Sequence, residues 1–136
     1  MVCERAPAKV NLILHVGRRR GDGLHELCSL FAPLELADEL SFAPADGSRD
    51  EVLCPGVEGM NLVNRALEAF RTRASLPALR VEIEKRVPVA GGLGGGSADA
   101  AAALRAELQI NPGHEAARTL LNKIHLMPNR KLEDGR

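Results

Sequence analysis

The sequence predicts a domain that mixes β-strands with α-helices, and three observations predict it. Apolar and polar residues alternate with period two over residues 8–16 and again over residues 79–85, the spacing of strands that bury one face. Leu62, Ala66, Leu67, Ala69 and Phe70 recur at helical spacing behind Asn61, a residue suited to capping a helix. Between the second strand and an alanine-rich helical run at residues 98–108 lies Pro88-Val89-Ala90-Gly91-Gly92-Leu93-Gly94-Gly95-Gly96-Ser97-Ala98-Asp99, in which five of twelve residues are glycine.

That loop suits an anion. Glycine permits positive φ and carries no Cβ to hold a ligand away, so successive N–H groups can converge on phosphate oxygens. The helix that follows adds unpaired first-turn N–H groups and the positive end of its dipole. No Gly-Lys-Ser/Thr closes the loop, which excludes a Walker A motif, and Ser97 stands where the dinucleotide fingerprint needs its last glycine. A flexible linker is the plain alternative, but linkers have polar flanks, and this loop joins a β-branched strand to a strong helix former.

Composition narrows the partners. A chain of 136 residues with 45% hydrophobic residues fits one domain of ordinary size. Its three Phe, with no Trp or Tyr, force an aliphatic core and argue against base stacking on a nucleic acid. Eighteen basic and 18 acidic residues cancel, so no global field draws the chain to nucleic acid or to an anionic membrane, and the expected ligand is small. Cys3, Cys28 and Cys54 are odd in number and irregularly spaced, which suits free thiols in a reducing compartment better than disulfides or zinc. With no long apolar run and no signal-peptide pattern, the chain reads as soluble and cytoplasmic.

In chain order, residues 6–16 read as a strand in which Lys9 and Asn11, two apart, share a face. Alone they are most simply solvated, though a lysine beside an amide also suits a phosphate or a hydroxyl. Asp22-Gly23 marks a hairpin turn into a second strand from Leu24 to about Leu34, and the turn carries Arg18, Arg19 and Arg20, either a solvated tip or a lure for polyphosphate. His25 opens the returning strand, which could bring it near Asn11 or Lys9. Short strands follow at residues 37–44 and 50–54, then the Asn61-capped helix to about Ala74. In the strand at residues 79–87 the charged residues are expected outside. Ser97 reads as the N-cap of the alanine-rich helix, and Asp99 as a first-turn carboxylate that favours the helix without a catalytic role. Beyond it, Asn111-Pro112-Gly113 starts a second helix with a stripe at Ala116, Ala117, Leu120, Leu121, Ile124 and Met127; His114 and His125 are too far apart to share a metal, and residues 131–136 form a polar tail expected to be disordered.

Three motifs together carry a family resemblance. Pro7-Ala8-Lys9-Val10-Asn11-Leu12, Gly21-Asp22-Gly23-Leu24-His25-Glu26-Leu27 and the stretch from Pro88 to Ala98 resemble, in order, those of the 4-diphosphocytidyl-2-C-methylerythritol kinase family of the GHMP small-molecule kinases. With Asn61 and Leu62 the resemblance covers residues 6–108. It implies an α+β fold, the GHMP-kinase N-terminal domain (ribosomal protein S5 domain 2-like), with a small mixed sheet packed against helices. Residues 1–108 would form this ATP-binding domain, residues 109–136 a helical extension and tail outside the match, and the family's C-terminal domain has no counterpart.

The resemblance also implies a reaction, transfer of the γ-phosphoryl of ATP, with Mg2+, to a hydroxyl on the methylerythritol part of a cytidine diphosphate conjugate, in the non-mevalonate route to isoprenoids. On that basis the loop from Pro88 to Ala98 would hold the phosphates, and Asn61 and Leu62 would lie near adenine. Lys9 would stabilise charge at the acceptor hydroxyl, while Asn11 and His25 would orient the substrate, His25 through cytosine. Two departures stand out besides the missing domain. Leu24 replaces the family's usual aromatic residue before the histidine, which costs cytosine a stacking partner. The family's catalytic aspartate also has no counterpart, since the acids after Ser97 are Asp99, Glu107, Glu115, Glu133 and Asp134, none in its context. The chain therefore has no protein ligand assigned for magnesium, and little turnover is expected unless self-association or a complementing C-terminal domain completes the site. Two other readings compete: a kinase for another small alcohol, and a non-catalytic module that binds nucleotide or a partner, the latter favoured by the stripe at Ala117, Leu120, Leu121 and Ile124.

Overall fold

A computed structural model describes residues 1–59, 61–72, 77–110, 115, 118 and 119. Four strands and two helices follow in the order β1 (Val2–Arg19), β2 (His25–Pro44), β3 (Glu51–Leu53), α1 (Leu62–Arg71), β4 (Leu79–Glu84) and α2 (Gly95–Ile110). The strands form one mixed sheet in the order β1-β2-β4-β3, antiparallel except for the parallel pair β3/β4, which α1 connects.

The long hairpin β1–β2 dominates. Asp22 Oδ1 accepts the Leu24 N–H at 3.0 Å and Gly23 takes φ +84°, so the Asp-Gly turn forms as its residues require. The strands are longer than alternation alone suggests: β1 starts at Val2 and runs on through Gly17, and residues 37–44 are the far end of β2 rather than a separate strand. Pro33 lies opposite Lys9 where the ladder shifts register after Pro7; β4 pairs only with Glu39–Pro44 and does not reach it, so its missing N–H is tolerated.

One face of the sheet carries the core. Ala6, Leu40, Phe42, Val81 and Ile83 point inward, against Val63, Leu67 and Phe70 of α1 and Ala102, Ala103, Leu104 and Ala106 of α2. Each large side chain so buried contributes about 1.5–3 kcal/mol. Small residues on both sides, Ala6 and Ala8 on β1 and the alanines of α2, let that helix lie close to the sheet. Arg105 Nε then bonds Glu4 Oε2 at 2.9 Å across the seam.

Asn61 caps α1 as expected: its Oδ1 accepts the N–H groups of Val63 and Asn64 at 2.9 and 3.1 Å, and Asn64 Oδ1 accepts the Asn61 N–H at 3.0 Å. Ser97 is not the cap of α2. That helix begins at Gly95, because Gly92 and Gly94 take φ of +71° and +74° and complete the turn early. Asp99 accordingly lies past the first turn and is no partner for the dipole. The expected second helix and polar tail fall largely outside the described residues. Among those described, no helix is long and apolar enough to cross a membrane.

Candidate functional site

The glycine loop leaves β4 and folds back against β1. The Lys9 N–H donates to Leu93 O at 2.9 Å, so the loop occupies part of the open edge of β1. Gly94 takes the close approach this requires: a Cβ there would lie 3.1 Å from Lys9 Cε, in a left-handed backbone conformation as well. The aliphatic stem of Lys9 therefore runs along the loop, and its Nζ reaches Gly92 O at 3.4 Å.

On its far side the loop walls a cleft of about 450 Å³, within the range of small-molecule sites. Residues 88–97 line it, together with Asn61 and Leu62 at the start of α1, Arg65, Cys54, Lys85 and Asp99. The first N–H groups of α2 have no carbonyl within the helix to bond, and they open toward the loop. Ala98 is different, since its N–H is already committed to Gly94 O at 3.0 Å. Asn61 lines the cleft while its side-chain oxygen is occupied by the cap. A larger concavity, about 730 Å³, lies on the helix-free face among the outward side chains Arg5, Glu39, Glu82 and Glu84, away from the loop.

Lys9 and Asn11 share a face as expected. Lys9 Nζ donates to Asn11 Oδ1 at 2.5 Å, Asn11 Nδ2 to Ser29 Oγ at 2.9 Å, and Ser29 Oγ to Ile13 O at 2.9 Å. This chain fixes the amide with its oxygen toward the lysine, and Ser29 is a member that sequence reasoning missed. The available signal was its phase: a hydroxyl in step with Leu27 and Phe31 on the returning strand. His25 is not brought near Lys9 or Asn11. Register pairs it with Arg19, whereas Asn11 pairs with Phe31, six residues or about 20 Å along the strand. The hairpin is long and His25 sits at its tip, where its Nδ1 meets Gly17 O at 3.0 Å. Arg20 there pairs with Asp22 at 3.0 Å.

A second cluster, unexpected from the sequence, lies beneath the loop. Asp38 of β2 is fully buried, and its Oδ1 accepts the N–H groups of Arg86 and Val87 at 2.6 and 2.8 Å. Lys85 Nζ bridges Asp38 Oδ2 at 2.5 Å and Asp99 Oδ2 at 3.0 Å. Lys85 thus turns inward, contrary to the expectation that the charges of this strand lie outside. Burial pushes the Asp38 carboxyl up, but the Lys85 bond, the two N–H donors and the Lys85 charge outweigh it and hold the acid below its ordinary range. For Asp99 burial prevails over the Lys85 bond and charge, and the acid rises to about 6; its Oδ1 has no hydrogen-bond partner among the described residues. Burial lowers Lys85, yet its two carboxylate bonds leave it raised, so it is charged at neutral pH. Burial likewise pushes the Cys54 thiol up, and all three cysteines are free. No group of three His, Cys, Asp or Glu able to hold a metal occurs among the described residues.

The chain is similar to several known proteins. A family model described as the GHMP kinases N terminal domain matches residues 61–129. A 4-diphosphocytidyl-2-C-methyl-D-erythritol kinase of Kineococcus radiotolerans is 47% identical over 113 residues, covering 76% of this chain and 34% of the relative. One of the same name from Anaeromyxobacter dehalogenans is 50% identical over 107 residues, covering 74% of this chain and 34% of the relative. The chain thus spans about a third of the length of these relatives. A crystal structure of 4-(cytidine 5'-diphospho)-2C-methyl-D-erythritol kinase superposes with TM-score 0.69 and 41% identity over 93% of this chain and 49% of that one. Mevalonate pyrophosphate decarboxylase from Streptococcus pyogenes shares the fold alone, at TM-score 0.57 and 18% identity over 80% of this chain and 37% of that one. A glycine loop with two left-handed glycines, a lysine laid along it, the α+β architecture and the family match converge, and the chain belongs to the GHMP kinases, whose N-terminal domain it carries.

Proposed function

We propose that the chain supplies the phosphate-binding half of an ATP-dependent kinase, acting on the methylerythritol hydroxyl of 4-diphosphocytidyl-2-C-methyl-D-erythritol in isoprenoid biosynthesis in the cytoplasm. The observation that carries this reading is the position of Lys9, whose ammonium lies against the glycine loop at Gly92 O, 3.4 Å away. A fixed cation beside a cradle of N–H donors is what phosphoryl transfer needs, since that chemistry depends on positioning and on neutralising charge. In the transfer the acceptor oxygen bonds to the γ-phosphorus, the bond to the β-phosphate oxygen breaks, ADP leaves and the hydroxyl proton is lost.

The described residues divide these tasks. Loop residues 88–97 and the first N–H groups of α2 hold the phosphates, and Asn61 and Leu62 flank the base. Lys9 stabilises charge at the acceptor, with Asn11 orienting the hydroxyl, and His25 at the hairpin tip is the residue assigned to cytosine. Magnesium fits as an ion carried mainly on phosphate oxygens, because Asp99 is the only carboxylate lining the cleft among the described residues and is bonded to Lys85. The same fact leaves the cleft without an uncommitted general base there, so turnover depends on a carboxylate from elsewhere.

Calorimetric titration of Mg·ATP into the folded chain, with Gly94→Asp as control, tests the reading. Saturable binding is expected for the wild type and none for the variant, which sets a carboxylate in the cradle against Lys9. No binding by the folded wild type overturns it.

A further inference from the structure

Asp38, Lys85 and Asp99 come from three parts of the chain, and each sits on the inward phase of its element. Asp38 shares its phase with Leu40 and Phe42, Lys85 continues that of Leu79, Val81 and Ile83, and Asp99 lies on the stripe of Ala102, Ala103 and Ala106. Three ionisable groups in positions that would otherwise take aliphatic residues need a reason. Their bonds supply one, because they join the two ends of a single loop.

Asp38 Oδ1 holds the Arg86 and Val87 N–H groups, the last backbone donors before the loop begins at Pro88. Its Oδ2 holds Lys85 Nζ, which reaches across to Asp99 on α2, beyond the loop's other end. Gly95, where α2 starts, rests on the same residues: a Cβ there would lie 3.0 Å from Val87 Cγ1 and 3.3 Å from Lys85 Nζ. The connections close a ring through Asp38, the entry strand, the loop, α2 and Lys85. Resting on the reading of this loop as a phosphate cradle, we propose that Asp38, Lys85 and Asp99 are positioning residues that clamp its two ends together and keep its N–H groups converged on a phosphate.

The molecule contains its own control. At the opposite end of β4, Asp50 bonds Arg71 Nε at 2.8 Å and accepts the Leu79 N–H at 2.8 Å. It too joins a carboxylate, a cation and a strand N–H, but it ties β4 to α1 and touches no loop residue.

The test pairs amide hydrogen exchange over residues 91–97, which needs no ligand, with Mg·ATP calorimetry and thermal melting, on Asp38→Ala, Asp38→Asn, Asp99→Ala and Asp50→Ala. Loop exchange should accelerate, and affinity fall, by about tenfold or more in Asp38→Ala and Asp99→Ala. Asp38→Asn keeps an oxygen for the two N–H donors and should recover part of both losses. Asp50→Ala should lower the melting temperature while leaving loop exchange and affinity within about twofold of wild type. If Asp38→Ala does not fold, Asp99→Ala carries the test, since it adds one alanine to an alanine-rich helix. Wild-type loop exchange in folded Asp99→Ala, or equal loop damage from Asp50→Ala, overturns the clamp. Failure of the wild type to bind Mg·ATP overturns the function proposed above, and loop exchange alone then decides the clamp.

Discussion

The two halves of the β1–β2 hairpin are built from similar residues and meet opposite fates. In the base, Val2 to Pro7 pair with Ala37 to Phe42, and Ala6, Ala8, Ala37, Leu40 and Phe42 are all buried beneath the helices. In the arm beyond Asn11, Ile13 faces Leu30 and Val16 faces Leu27 in the same antiparallel ladder, yet all four remain more than half exposed, with Ile13 at 64% and Leu30 at 51%. Alternation and β-branching make both halves strand. Whether a strand's apolar side chains stabilise the fold is decided by what lies over them, and α2 covers only the base.

The largest effect expected from this difference is at Phe42, which is 2% exposed. Phe42→Ala should destabilise the chain by about 3–5 kcal/mol in urea unfolding, through lost burial and the cavity left between β2 and the helices. A loss below about 1 kcal/mol would mean that the base is not the core.

The next effect is electrostatic and belongs to the base alone, because the described buried acids, Asp38, Asp99 and Glu107, all lie there or on α2. Asp99 is the informative one, with a pKa raised from 3.8 to about 6. Between these values the folded chain keeps a proton that the unfolded chain has released, so stability falls as pH rises through this window. Asp38 acts oppositely: its carboxyl is lowered on folding, so its contribution is present above the ordinary aspartate pKa and is lost as pH falls through the folded value. Comparison with Asp99→Asn at each pH separates the two. Between about pH 4 and pH 7 the wild type should lose on the order of 1–3 kcal/mol relative to the variant. A flat difference would mean that Asp99 titrates as a solvated acid.

Much of this was legible in the sequence, and the gaps share a cause. The hairpin was visible in Asp22-Gly23 and in alternation, α1 in Asn61 and its apolar stripe, and the strand-to-helix loop in its glycines, because each of these signals is local. Lys9 was legible beside Asn11, but its contact with Gly92 joins residues 83 apart. The Asp38–Lys85 bond likewise spans 47 residues, and no local pattern announces a partner at that distance. Phase was the clue available: an acid in step with Leu40 and Phe42 and a lysine in step with Val81 and Ile83 are charges aimed at a core, and such charges need each other. Reading the charges of the β4 segment as solvated overlooked that step. The placement of His25 failed for another reason, since a turn signal fixes where a hairpin reverses but not how far its tip lies from its base.

The smallest effect is expected in the arm. Leu14 and Leu27 are 52% and 59% exposed, so folding removes little of their surface from water and a polar replacement forfeits little. Leu14→Gln and Leu27→Gln should each leave the urea midpoint within about 0.5 kcal/mol of wild type, against the several kcal/mol expected at Phe42. Glutamine keeps the length of the side chain and leaves the ladder's backbone bonds in place, so any larger loss must come from burial. A loss of about 2 kcal/mol would show that this surface is covered in solution, and repeating the measurement over a range of chain concentrations would then tell a second copy from a segment of the same chain, because only the former makes stability concentration-dependent.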